Sequence, residues 1–313
     1  MSRDNAAAKG ADGGRIVVEV AAGPSVDVRF RRPQGPLGTL ITAYYFVEIN
    51  GAPGAEIEDM LHPEWGNLRF LAGEDWDVAT GGGQYVRGLT AALFGPTSRA
   101  RPIRARPGTV IGIGFTPQGW AQLIRVDAGK LAEEVVPADE VLAGVGSPGA
   151  SLRAASDDDL RVVLLDAYFG RLARIGRPCD PRIGVIAAAL EESVDRTVEE
   201  LALLVDMDAA QLARRCRRWF GFPAKTLLRR QRFLRTFARL LEPGGQGIGR
   251  IIDESYYDQS HFNREFRHFM GMSPRVYFSR PRPILRPAAA RRAAEVGQAL
   301  QGLHRSADGW TGR

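Results

Sequence analysis

The sequence predicts an α+β chain with two folded parts: a β-rich N-terminal part forming a small barrel, and an all-α C-terminal part with two helix-turn-helix units. Short runs rich in β-branched and aromatic residues, separated by Gly/Pro stretches, occupy residues 15–116, as in a small barrel or sandwich. Helical periodicity runs almost without interruption through residues 181–278. A Gly/Ser/Ala-rich segment at residues 141–155 separates the two patterns and marks a boundary.

Composition limits the class of protein. The 313 residues suffice for two cores, and 44% hydrophobic with 25% charged residues is ordinary for a globular protein. No apolar run is long enough to span a membrane, so we expect no membrane association. The first residues lack the apolar core of a signal peptide, and the two cysteines cannot form a disulfide framework, which predicts a cytoplasmic protein.

The expected parts are a disordered leader (1–14), a β-rich domain for sensing or oligomerisation (15–140), a linker with a connecting helix (141–180), a helical domain (181–280) and a mostly disordered tail (281–313).

The β-rich part is expected to contain six strands, followed after Pro117 by a helix that buries Trp120, Leu123 and Ile124. The stretch Ser156-Asp157-Asp158-Asp159 offers a start for the connecting helix, with acids at the positive end of the helix dipole. Its apolar face is expected to include Leu160, Val163, Leu164, Ala167, Tyr168 and Leu172. The expected strands are RIVVEV (15–20), VDVRFRR (26–32), LITAYYFVEI (40–49), NLRFLA (67–72), QYVRGLT (84–90) and TVIGIGF (109–115).

The first helix-turn-helix unit begins with a capping box, in which Thr197 caps the helix and Glu200 returns the bond. A break at Asp206-Met207 precedes a second helix, AAQLARRCRRWF, capped by Asp208 with Gln211 in the reciprocal position. Gly221 ends that helix, where a left-handed residue is least costly. The spacing predicts Leu212, Cys216 and Trp219 or Phe220 on the buried face.

The second unit repeats this plan about 50 residues later. GRIIDE (249–254) is the expected supporting helix, Ser255–Tyr257 the break and Asp258 the cap of QSHFNREFRHFM. Phe262, Phe266 and Phe269 share one face, because residues three and four apart are neighbours on a helix. The opposite face carries hydrogen-bond donors, which predicts a helix that packs by its phenylalanines and binds a partner with its polar side.

Basic residues are concentrated in this part of the chain. Ten lie between Met207 and Arg239, with Asp208 the only acid among them. Such a cluster is typical of a surface that binds a polyanion, although an arginine-rich solvated face is the alternative. Two units joined by one long helix would place two donor-bearing helices in successive major grooves of DNA. The ten are Arg214, Arg215, Arg217, Arg218, Lys225, Arg229, Arg230, Arg232, Arg235 and Arg239.

The stretch from about residue 181 to 278 resembles the DNA-binding domain of AraC/XylS-type transcriptional regulators. The string YYDQSHFNREFRHFMGMSP carries the resemblance most specifically, and TVEELALLVDMDAAQLARRCRRWFGF supports it. The β-rich part is more loosely similar to the cupin-like sensor domains of that family. The chain departs from the family pattern at Asp206 and Ser255, where glycine is usual, at Ile251, where a small residue is usual, and at Pro223, which is shifted.

The resemblance implies a role for individual residues and for partners. The partner would be double-stranded DNA, with RNA polymerase added for an activator, and a small organic effector and a homodimer are further expectations; no cofactor is implied. The implied base contacts are Gln259, Ser260, Asn263 and Arg264 in the second unit and Ala210, Ala213 and Arg214 in the first. The residues expected to contact phosphates are Arg215, Arg218, Lys225, His261 and Arg267.

Other chemistry has little support in the sequence. The β-rich part has one histidine, His62, whereas a metal-dependent cupin enzyme needs clustered ligands, so we expect no metal and no catalytic residues. The alternative is a small-molecule-binding or isomerase-like cupin enzyme whose helical half is a protein-interaction module. Five residues could line an effector pocket, or else belong to the barrel core: Tyr44, Tyr45, Trp65, Arg69 and Trp76.

Overall fold

The computed structural model describes residues 23–74, 76–142, 144–192, 196–242, 256 and 258–303. The expected leader, the expected strand at 15–20 and the expected supporting helix at 249–254 lie outside these residues. The strands are β1 (Ser25–Arg31), β2 (Ile41–Asn50), β3 (Ile57–Leu61), β4 (Asn67–Gly73), β5 (Asp77–Ala79), β6 (Tyr85–Val86), β7 (Ala91–Phe94), β8 (Arg101–Ala105), β9 (Gly108–Phe115) and β10 (Val135–Pro137).

The strands form two antiparallel sheets. One has six strands in the order β1-β2-β9-β4-β7-β10, and the other has four in the order β3-β8-β5-β6. The expectation of a β-rich N-terminal part followed by a helical part is confirmed. Among the described strands no hydrogen-bonded ladder joins the two sheets, so the part is a sandwich and not a closed barrel.

Five strands, β3, β5, β7, β8 and β10, lie outside the expected strand segments, and β8 contains a proline near its start. The segment that contains Pro102 was expected to separate strands, but β8 pairs with β3 on one side and with β5 on the other. Proline is tolerated here because the pairing with β5 begins at Ile103, so among the described strands β8 pairs only with β3 at Pro102 and is an edge strand at that residue.

The helices follow from residue 117 onward, and no described helix is both long and apolar enough to cross a membrane. A π-helical turn, Trp120–Ile124, continues the first of them and buries Trp120, Leu123 and Ile124, as expected. The helices are α1 (Pro117–Gly119), α2 (Ala128–Leu131), α3 (Gly146–Ala154), α4 (Asp158–Ile175), α5 (Arg182–Glu192), α6 (Val198–Leu204), α7 (Ala209–Phe220), α8 (Ala224–Leu241), α9 (Gln259–Met270), α10 (Pro274–Ser279) and α11 (Leu285–Val296).

The connecting helix α4 belongs to the core of the β-rich part. It starts within the expected acidic stretch, with Asp157 as its cap, and its buried face carries Val162, Leu165 and Phe169. The expected apolar face is right only in part: Leu164, Tyr168 and Leu172 pack against this core. Leu160 and Val163 do not, since they are 43% and 60% exposed. Apolar residues occupy two sides of α4, and the side that packs on the six-stranded sheet is the one that carries Phe169.

The expected disorder of residues 281–313 is wrong for residues 281–303, which we call the C-terminal segment. This segment contains α11 and a short 3-10 turn at Gln301–Leu303. Ile284 and Val296 are buried and join the apolar core between the two sheets. The Ala/Arg-rich composition did not indicate that the segment packs into a core, because only a few of its residues are large and apolar.

Polar contacts also hold the C-terminal segment against the sheets. The buried Asp59 carboxylate on β3 accepts hydrogen bonds from the backbone N–H groups of Ile284 (2.9 Å) and Leu285 (3.0 Å). Glu295 accepts one from the N–H of Phe30 on the edge strand β1, at 2.8 Å. These carboxylates satisfy backbone donors at a helix start and at a sheet edge, both of which lack partners within their own element.

His62 joins the two parts of the chain. A hydrogen bond of 2.8 Å connects its Nε2 atom with the hydroxyl of Tyr277 on α10, and its ring packs edge-on against Phe237 on α8. Burial lowers the pKa of His62 to about 3, because the charged imidazolium would lose its hydration, and the nearby charge of Arg282 acts in the same direction.

We predict that His62 makes the stability of the protein fall at mildly acidic pH. Its pKa is about 3 in the folded chain and 6.5 as a free side chain, so below pH 6.5 the unfolded chain binds the additional proton. The stabilisation is fully present above pH 6.5 and is lost as the pH falls towards 3. Near pH 5 the loss in the free energy of unfolding is about 2 kcal/mol. Chemical denaturation of the wild type and His62→Gln at about pH 8 and pH 5 should show the additional loss in the wild type only. Parallel loss in both proteins would contradict the assignment.

Candidate nucleic-acid interface

The first helix-turn-helix unit has the local structure that its sequence predicts. Thr197 and Glu200 form a complete capping box at the start of α6. Asp206 in the turn takes a left-handed conformation with φ 52°, which aspartate tolerates better than most residues. Asp208 and Gln211 form a second capping box at the start of α7, and Gly221 ends α7 with φ 88°. These local signals fix where α7, the first recognition helix, begins and ends.

The two faces of α7 differ as expected. Leu212, Cys216, Trp219 and Phe220 are buried in the core that α5, α6 and α8 share. Burial raises the pKa of the Cys216 thiol to about 12, so it remains a neutral core group. The opposite face is open to solvent: Ala210, Gln211, Arg214, Arg217 and Arg218 are exposed, and Ala213 and Arg215 are partly exposed.

The second recognition helix, α9, is also bounded as expected. The Asp258 carboxylate accepts a hydrogen bond of 2.6 Å from the N–H of His261, and Gly271 ends the helix with φ 70°. Ser273 then caps α10, which begins with Pro274. The preceding Ser255 and Tyr257, like Ile251, lie outside the residues that the structure describes, whereas the recognition helix of this unit lies within them.

Aromatic packing holds α9 against the long helix α8. Phe262, Phe266 and Phe269 have no exposed surface. Phe269 stacks on Phe233 of α8 with ring centroids 4.8 Å apart, and Phe266 packs edge-on against Phe237 at 5.7 Å. The phenylalanine face of α9 is therefore fully used in packing.

The polar face of α9 carries the residues expected to contact DNA. Gln259, Ser260, Arg264 and Arg267 are exposed, and Asn263 is partly exposed. His261 is also partly exposed, but its ring packs edge-on against Tyr256 at 5.3 Å, a contact that the sequence did not predict.

Several arginines of the basic cluster do not face solvent. Arg230 on α8 is completely buried, and its guanidinium lies 3.8 Å from the ring centroid of Trp65. Arg229 pairs with Glu265 of α9 at 2.5 Å, and Arg235 donates to the carbonyl of Leu190. The cluster thus divides into a part that holds helices together and an exposed part, which includes Arg214, Arg217, Arg218 and Lys225.

The five residues expected at an effector pocket do not converge. Tyr45 and Arg69 do meet, since Nε of Arg69 donates to the Tyr45 hydroxyl at 2.7 Å. Tyr44 points to the other face of the sheet and donates to Asp166 of α4 at 2.7 Å. Trp65 contacts the helical part, and Trp76 lies in the core between the sheets.

Tyr45 lines a cavity of about 90 Å³ between β2 and the C-terminal segment. Its wall includes Glu64, whose carboxylate binds Arg69 at 2.6 Å, and Arg292 of α11. Gln301 closes one side, where its side chain accepts a hydrogen bond from Asn67 at 3.2 Å. Sequence patterns gave no signal for Arg292 and Gln301, because their position depends on how a distant segment packs. The described residues contain no cluster of His, Cys, Asp and Glu suited to a metal ion.

Comparison with protein families identifies the helical part. A family model described as a helix-turn-helix domain matches residues 201–280, which span α6 to α10. This part is a helix-turn-helix domain of the AraC type. A search of the curated proteins found no significant match to this chain.

Solved structures similar to the chain have low sequence identity. ToxT from Vibrio cholerae O395 bound to (E)-4-(8-methylnaphthalen-1-yl)but-3-enoic acid is 11% identical, with 82% of this chain and 98% of that chain covered and a TM-score of 0.45. Unsaturated fatty acid bound wild-type ToxT from Vibrio cholerae strain SCE256 is 10% identical, with 83% and 96% covered and a TM-score of 0.43. The AraC-like transcriptional activator CuxR is 14% identical, with 68% and 87% covered and a TM-score of 0.28. The assignment of the AraC-type domain therefore rests on the sequence match.

We predict that substitutions on the two faces of α9 have different effects on the stability of the protein. Phe266→Ala removes a fully buried ring and should lower the free energy of unfolding by about 3–5 kcal/mol. Arg264→Ala changes an exposed side chain and should stay within about 0.5 kcal/mol of the wild type. Chemical denaturation of both variants measures this difference. Early unfolding of Arg264→Ala beside a stable Phe266→Ala would mean that the faces are reversed.

Proposed function

We propose that this protein is a sequence-specific transcription regulator that contacts two adjacent major-groove segments of duplex DNA with α7 and α9. The observation that carries the proposal is the pair of capped, glycine-terminated helices packed on α8, each with a buried apolar face and an exposed donor-bearing face. Arginine, asparagine and glutamine are the side chains that distinguish base edges in the major groove. No comparison favours the alternative of a cupin enzyme with a helical interaction module.

The proposal predicts a footprint with two parts. Selection from a random duplex pool should yield one preferred sequence, and the protein should protect two major-groove segments on one DNA face, about 10 base pairs apart. Protection confined to a single segment would contradict the use of both recognition helices.

Specificity should depend mainly on α9. In the assignment from the family, Gln259, Ser260, Asn263 and Arg264 contact bases, whereas the first unit offers Ala210, Ala213 and Arg214. Alanine provides only apolar contact, for example with a thymine methyl group. We therefore assign most of the sequence preference to the second unit and treat Arg214 as the main donor of the first.

Two substitutions separate base contact from phosphate contact. Arg264→Lys keeps the charge but loses the planar guanidinium that can donate two hydrogen bonds to one base. It should therefore lower the binding free energy by about 1–3 kcal/mol at one base pair and leave the salt dependence of binding unchanged. Arg267→Ala should weaken binding to all sequences equally and flatten the salt dependence by about one unit of slope. Binding assays on single-base variants of the selected site at several salt concentrations measure both. If Arg267→Ala altered base preference at unchanged non-specific affinity, its assignment to phosphate would be wrong.

We assign the effector-responsive role to the β-rich part, with the cavity between β2 and the C-terminal segment as its binding site. Tyr45, Arg69 and Glu64 supply polar groups at or beside an otherwise mainly apolar wall, the usual character of a small-molecule site. The test is the same DNA selection with and without a panel of candidate metabolites. A metabolite that changes DNA affinity in the wild type but not in Tyr45→Trp, which reduces the cavity, would support the site; equal responses would exclude it.

The exposed apolar side of α4 is the surface that we assign to a homodimer. Leu160, Val163 and Ile175 are 43%, 60% and 70% exposed, an arrangement that a second copy of the same helix would cover. We predict a dimer by sedimentation velocity, and a monomer with an unchanged melting temperature for Leu160→Lys combined with Val163→Lys. A wild-type monomer at micromolar concentration would refute this assignment.

A further inference from the structure

A basic cleft lies where the β-rich part meets the first recognition helix. It has a volume of about 460 Å³, and α7 contributes Arg215 and Arg218 to its wall. The β-rich part contributes Arg125, just after the π-helical turn, and Lys130 on α2. Four cations from two distant stretches of sequence therefore surround one cleft.

Two acids, Asp127 and Asp180, also line this cleft, and each has a partner within its own segment. The Asp127 carboxylate accepts a hydrogen bond of 2.9 Å from the N–H of Gly129 and so caps α2. Asp180 forms an ion pair with Arg182 at 2.7 Å. Arg125 and Lys130 are exposed and form no salt bridge with any residue that the structure describes. The cleft thus has four cations against two carboxylates, and this positive balance favours the binding of an anion.

The cleft continues onto the surface expected to contact bases. A neighbouring cleft of about 400 Å³ shares Arg215 and Arg218 with it and is lined further by Arg182, Gln211 and Arg214. Through the shared Arg215 and Arg218, the cleft beside Lys130 therefore connects to the exposed face of α7.

Close packing fixes the position of α2 on α7. A Cβ atom added at Gly129 would lie 3.0 Å from the carbonyl oxygen of Arg217, and one at Gly221 would lie 3.5 Å from the carbonyl oxygen of Ala128. Ala128 of α2 is buried. Because there is so little space between the backbones, Lys130 is held beside the last turn of α7.

We propose that Arg125 and Lys130 bind backbone phosphates of the same DNA that α7 contacts, so that the β-rich part forms part of the DNA interface. This inference rests on the proposed function. Duplex DNA is the polyanion that fits, because the cleft adjoins the recognition helix and regularly spaced phosphates flank any major groove that the helix enters. Such contacts position the protein on DNA without specifying sequence.

The test uses the full-length chain, with Arg125→Ala, Lys130→Ala and the double variant. Binding to the selected duplex and to a scrambled duplex is measured over a series of salt concentrations. Each single variant should reduce the slope of log affinity against log salt by about one, and the double variant by about two. Affinity for both duplexes should fall by the same factor. Arg153→Ala, an exposed basic residue on α3, is the matched control and should change neither quantity.

The outcomes distinguish this inference from the proposed function. If Arg218→Ala flattens the salt dependence but Arg125→Ala and Lys130→Ala do not, the β-rich part is outside the interface and the proposed function stands. A loss confined to the selected duplex would also overturn the inference, because phosphate contacts affect all sequences. If the wild type binds neither duplex, the proposed function fails and the inference fails with it.

Discussion

Arg230 is a cation buried between the two parts of the chain, and the position of the recognition helices depends on how it is accommodated. Its guanidinium lies over the ring of Trp65 and donates to the carbonyl of Thr97 at 3.0 Å, both in the β-rich part. Loss of hydration lowers its pKa to about 9, since burial disfavours a charge that is not fully paired. A charge in this position tolerates little displacement, because each partner is needed to offset its desolvation.

The helix that carries Arg230 also organises both recognition helices. Leu227 and Leu228 of α8 belong to the core of the first unit, whereas Phe233 and Phe237 belong to the core beneath α9. One 18-residue helix thus anchors the β-rich part, α7 and α9 at successive points along its length. A change in the β-rich part that moved Trp65 would be transmitted to both recognition helices through a single rigid element.

Local signals made most of the helical part predictable. A helix cap and its reciprocal partner lie three residues apart in sequence, and the terminating glycine comes directly after the last residue of the helix. The roles of Thr197, Asp208 and Gly271 could therefore be assigned without knowledge of tertiary structure. The residues that join the parts could not be assigned in this way. Arg230 looked like one more member of a basic cluster, and Leu160 like a core residue, because burial of either depends on a surface far away in sequence. The C-terminal segment was missed for the same reason: Asp59 and Gln301 hold it through contacts that no short-range pattern contains.

The C-terminal segment has a consequence for the order of folding during synthesis. Ile284 and Val296 complete the core between the sheets, yet they leave the ribosome after both recognition helices. The inter-sheet core of the β-rich part therefore stays incomplete while residues 138–296, about half of the chain, are translated. Contacts between residues so far apart carry a large loop-closure entropy and slow the final step of folding. During that interval the nascent chain exposes apolar surface and an unpaired edge of β1, the kind of intermediate that chaperones recognise.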